Sequence, residues 1–191
     1  INAVPTADGK LTPAHIEEVL IFHQDEHQVR PRVVFISQST ELGTLYSHRD
    51  VRELSSFCRE KDLLLYVDGA RMGSALTAEG NDMTMAELAS LTDAFYIGGT
   101  KTGALAAEAV VICRSEIQEN FRYIMKQKGA LLAKGRFLGI QFAELFRDGL
   151  YYELAKKANR KATLLREGIY KVGYTFQTSS PTNQIFPVFP D

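Results

Sequence analysis

The chain has 191 residues, of which 45% are hydrophobic and 24% charged, enough to bury a sizeable core and to exclude a disordered tail. Its formal net charge of -1 supplies no field that would draw it onto nucleic acid or an anionic membrane, and its two cysteines, Cys58 and Cys113, lack the spacing of a disulfide framework or a zinc site. No apolar run approaches the roughly 18 to 20 residues of a membrane span and no signal-peptide pattern opens the chain, so a soluble, cytoplasmic protein without a metal is expected.

In chain order, Asp8-Gly9 is a turn signal, and Thr12-Pro13 supplies an N-cap with proline at the first helical position. Ile16, Val19, Leu20 and His23 then recur at helical spacing and predict a helix from about Thr12 to Gln28. Val33 to Ile36 is a short apolar run that reads as a buried strand opening into the polar loop Ser37-Gln38-Ser39-Thr40. Ser47 and Asp50 have capping spacing ahead of the stripe Val51, Leu54, Phe57, Cys58, which predicts a second helix. Leu63 to Val67 is a second strand, ending in Asp68-Gly69-Ala70-Arg71; Thr84 and Glu87 frame a third helix; Ala94 to Ile97 is a third strand, ending in Gly98-Gly99-Thr100-Lys101.

After the strand Ala109 to Ile112, helical pattern runs from about Glu116 to Val172 with Gly129, Gly135, Gly149 and Gly168 as possible breaks, and Val172 to Phe189 reads as strands with turns. The chain opens on Ile1 in an extended segment and closes in the apolar Ile185 to Phe189, so it reads as a fragment of a longer protein.

Apolar strands alternating with helices give the α/β class: a mainly parallel sheet flanked by helices and covered on both faces. Residues 1–128 read as part of a large domain, and 129–191 as linking helices and the start of a small α+β domain. In such sheets chemistry gathers at the carboxyl ends of the strands. Three loops fall there: Ser37 to Gly43, Asp68 to Arg71 and Gly98 to Gly103.

Each residue taken singly has a plain structural reading. Asp68 serves equally as an N-cap for the segment beginning near Ala70, Arg71 as a surface ion-pair partner, and Lys101 as a solvated loop lysine. His15, His23, His27 and His48 lie in or beside the helices and read as surface or capping groups. It is the joint pattern that points to chemistry. A strand ending in a carboxylate and a neighbouring strand ending in Gly-Gly-Thr-Lys can deliver both groups that pyridoxal phosphate needs: an amine to form an imine and an acid to keep the pyridine nitrogen protonated.

Val67-Asp68-Gly69-Ala70-Arg71-Met72 and Tyr96-Ile97-Gly98-Gly99-Thr100-Lys101-Thr102-Gly103 resemble the aspartate and Schiff-base lysine segments of the threonine aldolase and β-eliminating lyase group. Glu41 to Ser47 and Gln127 to Arg136 resemble further stretches of that group in the same order. The resemblance implies an aspartate-aminotransferase-like fold with bound pyridoxal phosphate. It also implies that Lys101 is the Schiff-base residue and Asp68 the partner of the pyridine nitrogen, that Arg71 and Thr100 contact the cofactor, and that Arg71, Ser39 and Thr40 face the substrate.

An aldolase cleaving threonine or allo-threonine to glycine and acetaldehyde is the expected activity, in a homodimer or homotetramer. Many threonine aldolases carry a histidine near the position occupied by Ser39-Thr40-Glu41, so β-elimination from another amino acid is the alternative within the class. The group's phosphate-binding loop and ring-stacking side chain are not located in this chain. Outside the class stand a nucleotide-binding α/β domain, disfavoured because Thr100 breaks the Walker spacing, and a non-catalytic scaffold in which Lys101 and Asp68 form only an ion pair.

Overall fold

The protein, seen as a computed structural model that describes residues 1–190, begins with α1, Pro13–Phe22, which has proline at its first position; the His15 ring nitrogen turns back to the Thr12 N–H at 3.2 Å. The helix stops short of the expected Gln28. Beyond Phe22 the sequence offers no apolar face to bury, and Asp25 and Glu26 would sit at the negative end of the helix dipole. A turn forms instead, in which the Gln28 N–H donates to the Asp25 carbonyl at 3.0 Å.

Strand β1, Val33–Ser37, leads to α2, His48–Glu60, where the Ser47 hydroxyl accepts the Asp50 N–H at 3.1 Å and the Asp50 carboxylate accepts the Ser47 N–H at 3.0 Å. Strand β2, Leu64–Asp68, is followed by the short α3, Met72–Leu76, and then by α4, Met85–Leu91, capped by Thr84 and Glu87. The first of these two helices has no sequence signal, being little more than one turn and containing Gly73 and Ser74. Strand β3, Ala94–Gly98, ends in a single 3-10 turn at Thr100–Thr102, and β4, Glu108–Ile112, follows. Then come α5, Phe121–Gln127, α6, Arg136–Leu145, and the long α7, Leu150–Lys171. The left-handed residues Gly129 and Gly149 separate them, whereas Gly168 lies inside α7 and breaks nothing. Strands β5, Thr175–Phe176, and β6, Pro187–Val188, pair antiparallel.

The main sheet has the order β1-β2-β3-β4, with β1 to β3 parallel and β4 antiparallel to β3. The carboxyl ends of three strands therefore meet at one edge, with the start of β4 beside them. On one face Val34, Ile36, Leu65, Val67, Phe95 and Ile97 are buried with Val51, Leu54 and Cys58 of α2 and Leu88 of α4 in a single core. Each such side chain contributes about 1.5–3 kcal/mol of burial.

The opposite face departs from expectation. Val33, Phe35 and Val110 are more than half exposed, at 53%, 56% and 56%, and Phe35 stacks openly on Tyr66 with ring centroids 5.4 Å apart. Among the described residues the sheet is covered on one face only. Topology explains this: the strand order advances steadily from β1 to β3, so right-handed crossovers bring every connecting helix back on the same side. No helix among the described residues is long and apolar enough to cross a membrane.

Candidate active site

The turns after β1, β2 and β3 are stitched together at the carboxyl edge. The Gln38 N–H donates to the Asp68 carbonyl, and the Gly69 carbonyl accepts both the Gly98 and Met72 N–H groups, all at 2.9 Å. This interlock needs glycine. A Cβ at Gly69 would overlap the Tyr96 carbonyl oxygen, and one at Gly98 would overlap that of Ala70. Gly98→Ala is therefore expected to cost about 1–3 kcal/mol of stability, read by urea unfolding, because backbone rather than a yielding side chain opposes the methyl group. A variant as stable as the parent would show that the turns are free to separate.

Asp68 is the last residue of β2, half-buried, in register with Ser37. Its Oδ1 accepts the Ala70 N–H at 2.9 Å, which is the capping role that Asp favours. The side chain stands on the uncovered face of the sheet, beside Tyr66 and Tyr96. The Tyr96 phenol is pushed up to about 12, by burial first and then by the negative charges of Asp68 and Glu108, and it stays protonated next to the carboxylate.

Lys101 is exposed and lies in the 3-10 turn after β3. Among the described residues it forms no ion pair, and in particular none with Asp68, as a non-catalytic scaffold would require. Arg71 is half-buried at the start of α3 and likewise has no acidic partner among the described residues. The two cations share a cleft of about 140 Å³ with Ser74, Thr102, Gly103 and Asn183. No acid lines it. Two unpaired cations in such a place favour an anion, and the planar guanidinium suits a carboxylate. The Asn183 Oδ1, buried without a partner among the described residues, adds an acceptor to the cleft wall. Its volume is below the roughly 300–1,000 Å³ of complete small-molecule sites, so these residues form part of a site's walls.

The structure thus brings Arg71 and Lys101 into one cleft and puts Asp68 on the adjoining turn, facing the open side of the sheet. Thr100 is committed locally: its hydroxyl and N–H both donate to the Glu108 carboxylate, which also takes the Gly99 N–H at 2.8 Å. Ser39 is buried and donates to Gln184 Oε1 at 3.3 Å. Thr40 is also buried, and its Oγ1 is occupied by Thr44 and by the Leu42 and Thr44 N–H groups, so it shapes the loop from inside. The histidines lie away from the cleft: His23 bonds to the Val19 carbonyl, His27 to Asp25, and His48 to Arg52. Sequence reasoning missed Glu108 and Asn183. Glu108 carried a weak signal, a lone acid opening an apolar strand; Asn183 carried none.

Tested against pyridoxal phosphate, the residues present fit: a carboxylate oriented by the Ala70 N–H, and on the adjoining turns an amine and a guanidinium without acidic partners among the described residues.

Comparisons with known proteins agree with this geometry. A family model described as beta-eliminating lyase matches residues 1–190. The low specificity L-threonine aldolase of Pseudomonas aeruginosa is 35% identical over 182 residues, covering 95% of this chain and 53% of the relative. That of a Pseudomonas species is 41% identical over 159 residues, covering 82% and 45%. The solved Leishmania major threonine aldolase superposes with a TM-score of 0.94 at 44% identity, covering 96% of this chain and 54% of that one. A Thermus thermophilus aspartate aminotransferase mutant, with a TM-score of 0.66 at 15% identity over 94% of this chain and 44% of that one, shares the fold alone. The chain spans about half the length of the curated relatives it matches. With the expected α/β architecture, the interlocked Asp68 and Lys101 turns and a match along residues 1–190, the chain belongs to the beta-eliminating lyase family.

Proposed function

We propose that the complete protein is a pyridoxal-phosphate-dependent amino-acid lyase, an aldolase that cleaves the Cα–Cβ bond of threonine or allo-threonine to give glycine and acetaldehyde. The observation that carries this reading is the cleft in which Lys101 and Arg71 stand together without an acidic partner among the described residues, one turn from Asp68. The family and the aspartate-aminotransferase-like fold are pyridoxal-phosphate-dependent, and the low specificity L-threonine aldolases among the relatives support the substrate class.

Bound at this edge, pyridoxal phosphate would supply an aldehyde for an amine and a protonated ring to take up the electrons released at Cα. Lys101 would be that amine, and its flexible four-carbon stem would let Nζ hold or move a proton beside the substrate. Asp68 would hold the ring nitrogen with its carboxylate, which the Ala70 N–H orients through Oδ1. Arg71 anchors the substrate carboxylate. Glu108 fixes the Thr100 end of the lysine turn, and Thr100 adjoins the cofactor through that turn. Ser39 meets the substrate side through its loop, with Thr40 shaping that loop. Residues 1–128 belong to the cofactor-binding large domain and 129–191 to the link and the start of the small domain. A cytoplasmic homodimer or homotetramer completes the proposal.

Incubating the complete protein with pyridoxal phosphate and either L-threonine or L-allo-threonine is expected to release glycine and acetaldehyde in equal amounts. Release of ammonia and a 2-oxo acid would favour β-elimination instead. That reading gains from the lack of any histidine in the loop from Ser37 to Gly43, near which many threonine aldolases carry one.

A further inference from the structure

We propose that Tyr151 is a positioning residue for this site: a single buried phenol locks the turn bearing Asp68 and Arg71 against the turn bearing Lys101. Tyr151 lies in the first turn of α7 and is 0% exposed. Its hydroxyl donates to the Gly98 carbonyl and accepts the Gly73 N–H, each at 3.0 Å. Gly98 precedes Lys101 by three residues, and Gly73 follows Arg71 by two. No other side chain among the described residues hydrogen-bonds to both segments.

Backbone chemistry makes the contact necessary. Gly73 is the second residue of α3, so its N–H is one of the donors a helix cannot satisfy internally, and it is buried. The Tyr151 oxygen is its acceptor. The ring itself cannot swing away, because it stacks on Phe146 with centroids 5.0 Å apart and 14° between planes and meets Tyr152 edge-on at 5.6 Å. The fit also requires glycine at 73, where a Cβ would stand 2.9 Å from the Tyr151 ring. Helix α7 thereby sets the spacing between the carboxylate turn and the lysine turn, and its Leu154, Ala155 and Ala158 line the cleft beside them.

The consequence for cofactor rests on the function proposed above; the mechanical claim does not. The test compares Tyr151→Phe with Tyr152→Phe in the complete protein. Two readouts serve: amide hydrogen exchange in cofactor-free protein, and the pyridoxal phosphate dissociation constant from absorbance. In Tyr151→Phe, exchange over residues 68–73 and 97–102 is expected to accelerate at least about tenfold while α2 is unchanged, and the dissociation constant to rise about tenfold, the scale of one buried hydrogen-bonding group left unpaired. Tyr152→Phe should match the parent in both.

Unchanged exchange in both turns, or equal acceleration throughout the protein, would overturn the proposal. So would faster exchange with an unaltered dissociation constant in a protein that binds the cofactor. If Tyr151→Phe does not accumulate as folded protein, the parent decides: a Gly73 amide protected to the level of the core supports the lock, and one that exchanges like an open loop refutes it. The exchange arm needs no cofactor, so failure of the lock and failure of Lys101 to take pyridoxal phosphate remain separate results.

Discussion

Replacing Lys101 by alanine in the complete protein is expected to lower kcat for amino-acid cleavage by about 10³-fold or more, because under the proposed function the residue would supply both a nucleophile and a proton carrier, and positioned proton transfer alone contributes about 10²–10⁴-fold. The change costs the fold little. Lys101 is exposed and its side chain has no ion pair among the described residues, so stability should stay within about 0.5 kcal/mol of the parent. Lys101→Arg is the more discriminating variant: it keeps a cation in the cleft, but guanidinium does not deprotonate at working pH and cannot act as the nucleophile. It should be as inactive as the alanine variant. Substantial activity in Lys101→Arg would mean that the position contributes charge alone, and the catalytic role would be lost.

The second large effect is at Asp68. Asp68→Asn preserves shape, and an amide oxygen can still accept the Ala70 N–H, so the turn should hold. What disappears is the charge. A neutral amide makes a hydrogen bond about half as strong as a charge-assisted one and gives no electrostatic reason for a ring nitrogen to stay protonated. The expected result is a fall in kcat of about 10²-fold or more, the scale of losing one preorganised electrostatic contact, with unfolding curves little changed. Steady-state kinetics beside thermal melts would check it. An asparagine variant within threefold of the parent would leave Asp68 with only its capping role, which the hydrogen bond to Ala70 already demonstrates.

Much of the fold is legible because strong local signals agree with the packing. Ser47/Asp50 and Thr84/Glu87 form the reciprocal caps their spacing implies, and the runs around Val34, Leu65 and Phe95 are buried strands. Three things were not legible. Helix α1 ends early because periodicity does not register the absence of anything to bury beyond Phe22. The open face of the sheet escapes because Val33 and Phe35 are apolar whether or not a partner covers them. Helix α3 escapes because so short a helix is held by tertiary contacts, above all with Tyr151 and Asn159 of α7, rather than by propensity.

At the candidate site, Asp68, Arg71 and Lys101 stand out in the sequence because an acid and an amine ending neighbouring strands form a local pattern. Their supports could not, because the Glu108 clamp and the Asn183 wall depend on which backbone groups the fold leaves unpaired. The fold also separated what the sequence grouped together: Arg71 and Lys101 line the cleft, while Asp68 faces the aromatic side of the sheet.

The central claim is that Lys101 is the residue that takes pyridoxal phosphate. The most direct measurement is to reduce the complete protein with borohydride in the presence of pyridoxal phosphate, alongside Lys101→Ala, and to locate the modified residue by mass spectrometry. The account predicts a pyridoxyl group on Lys101 in the parent and none at that position in the variant. A folded parent protein that carries no such group on Lys101 would contradict it.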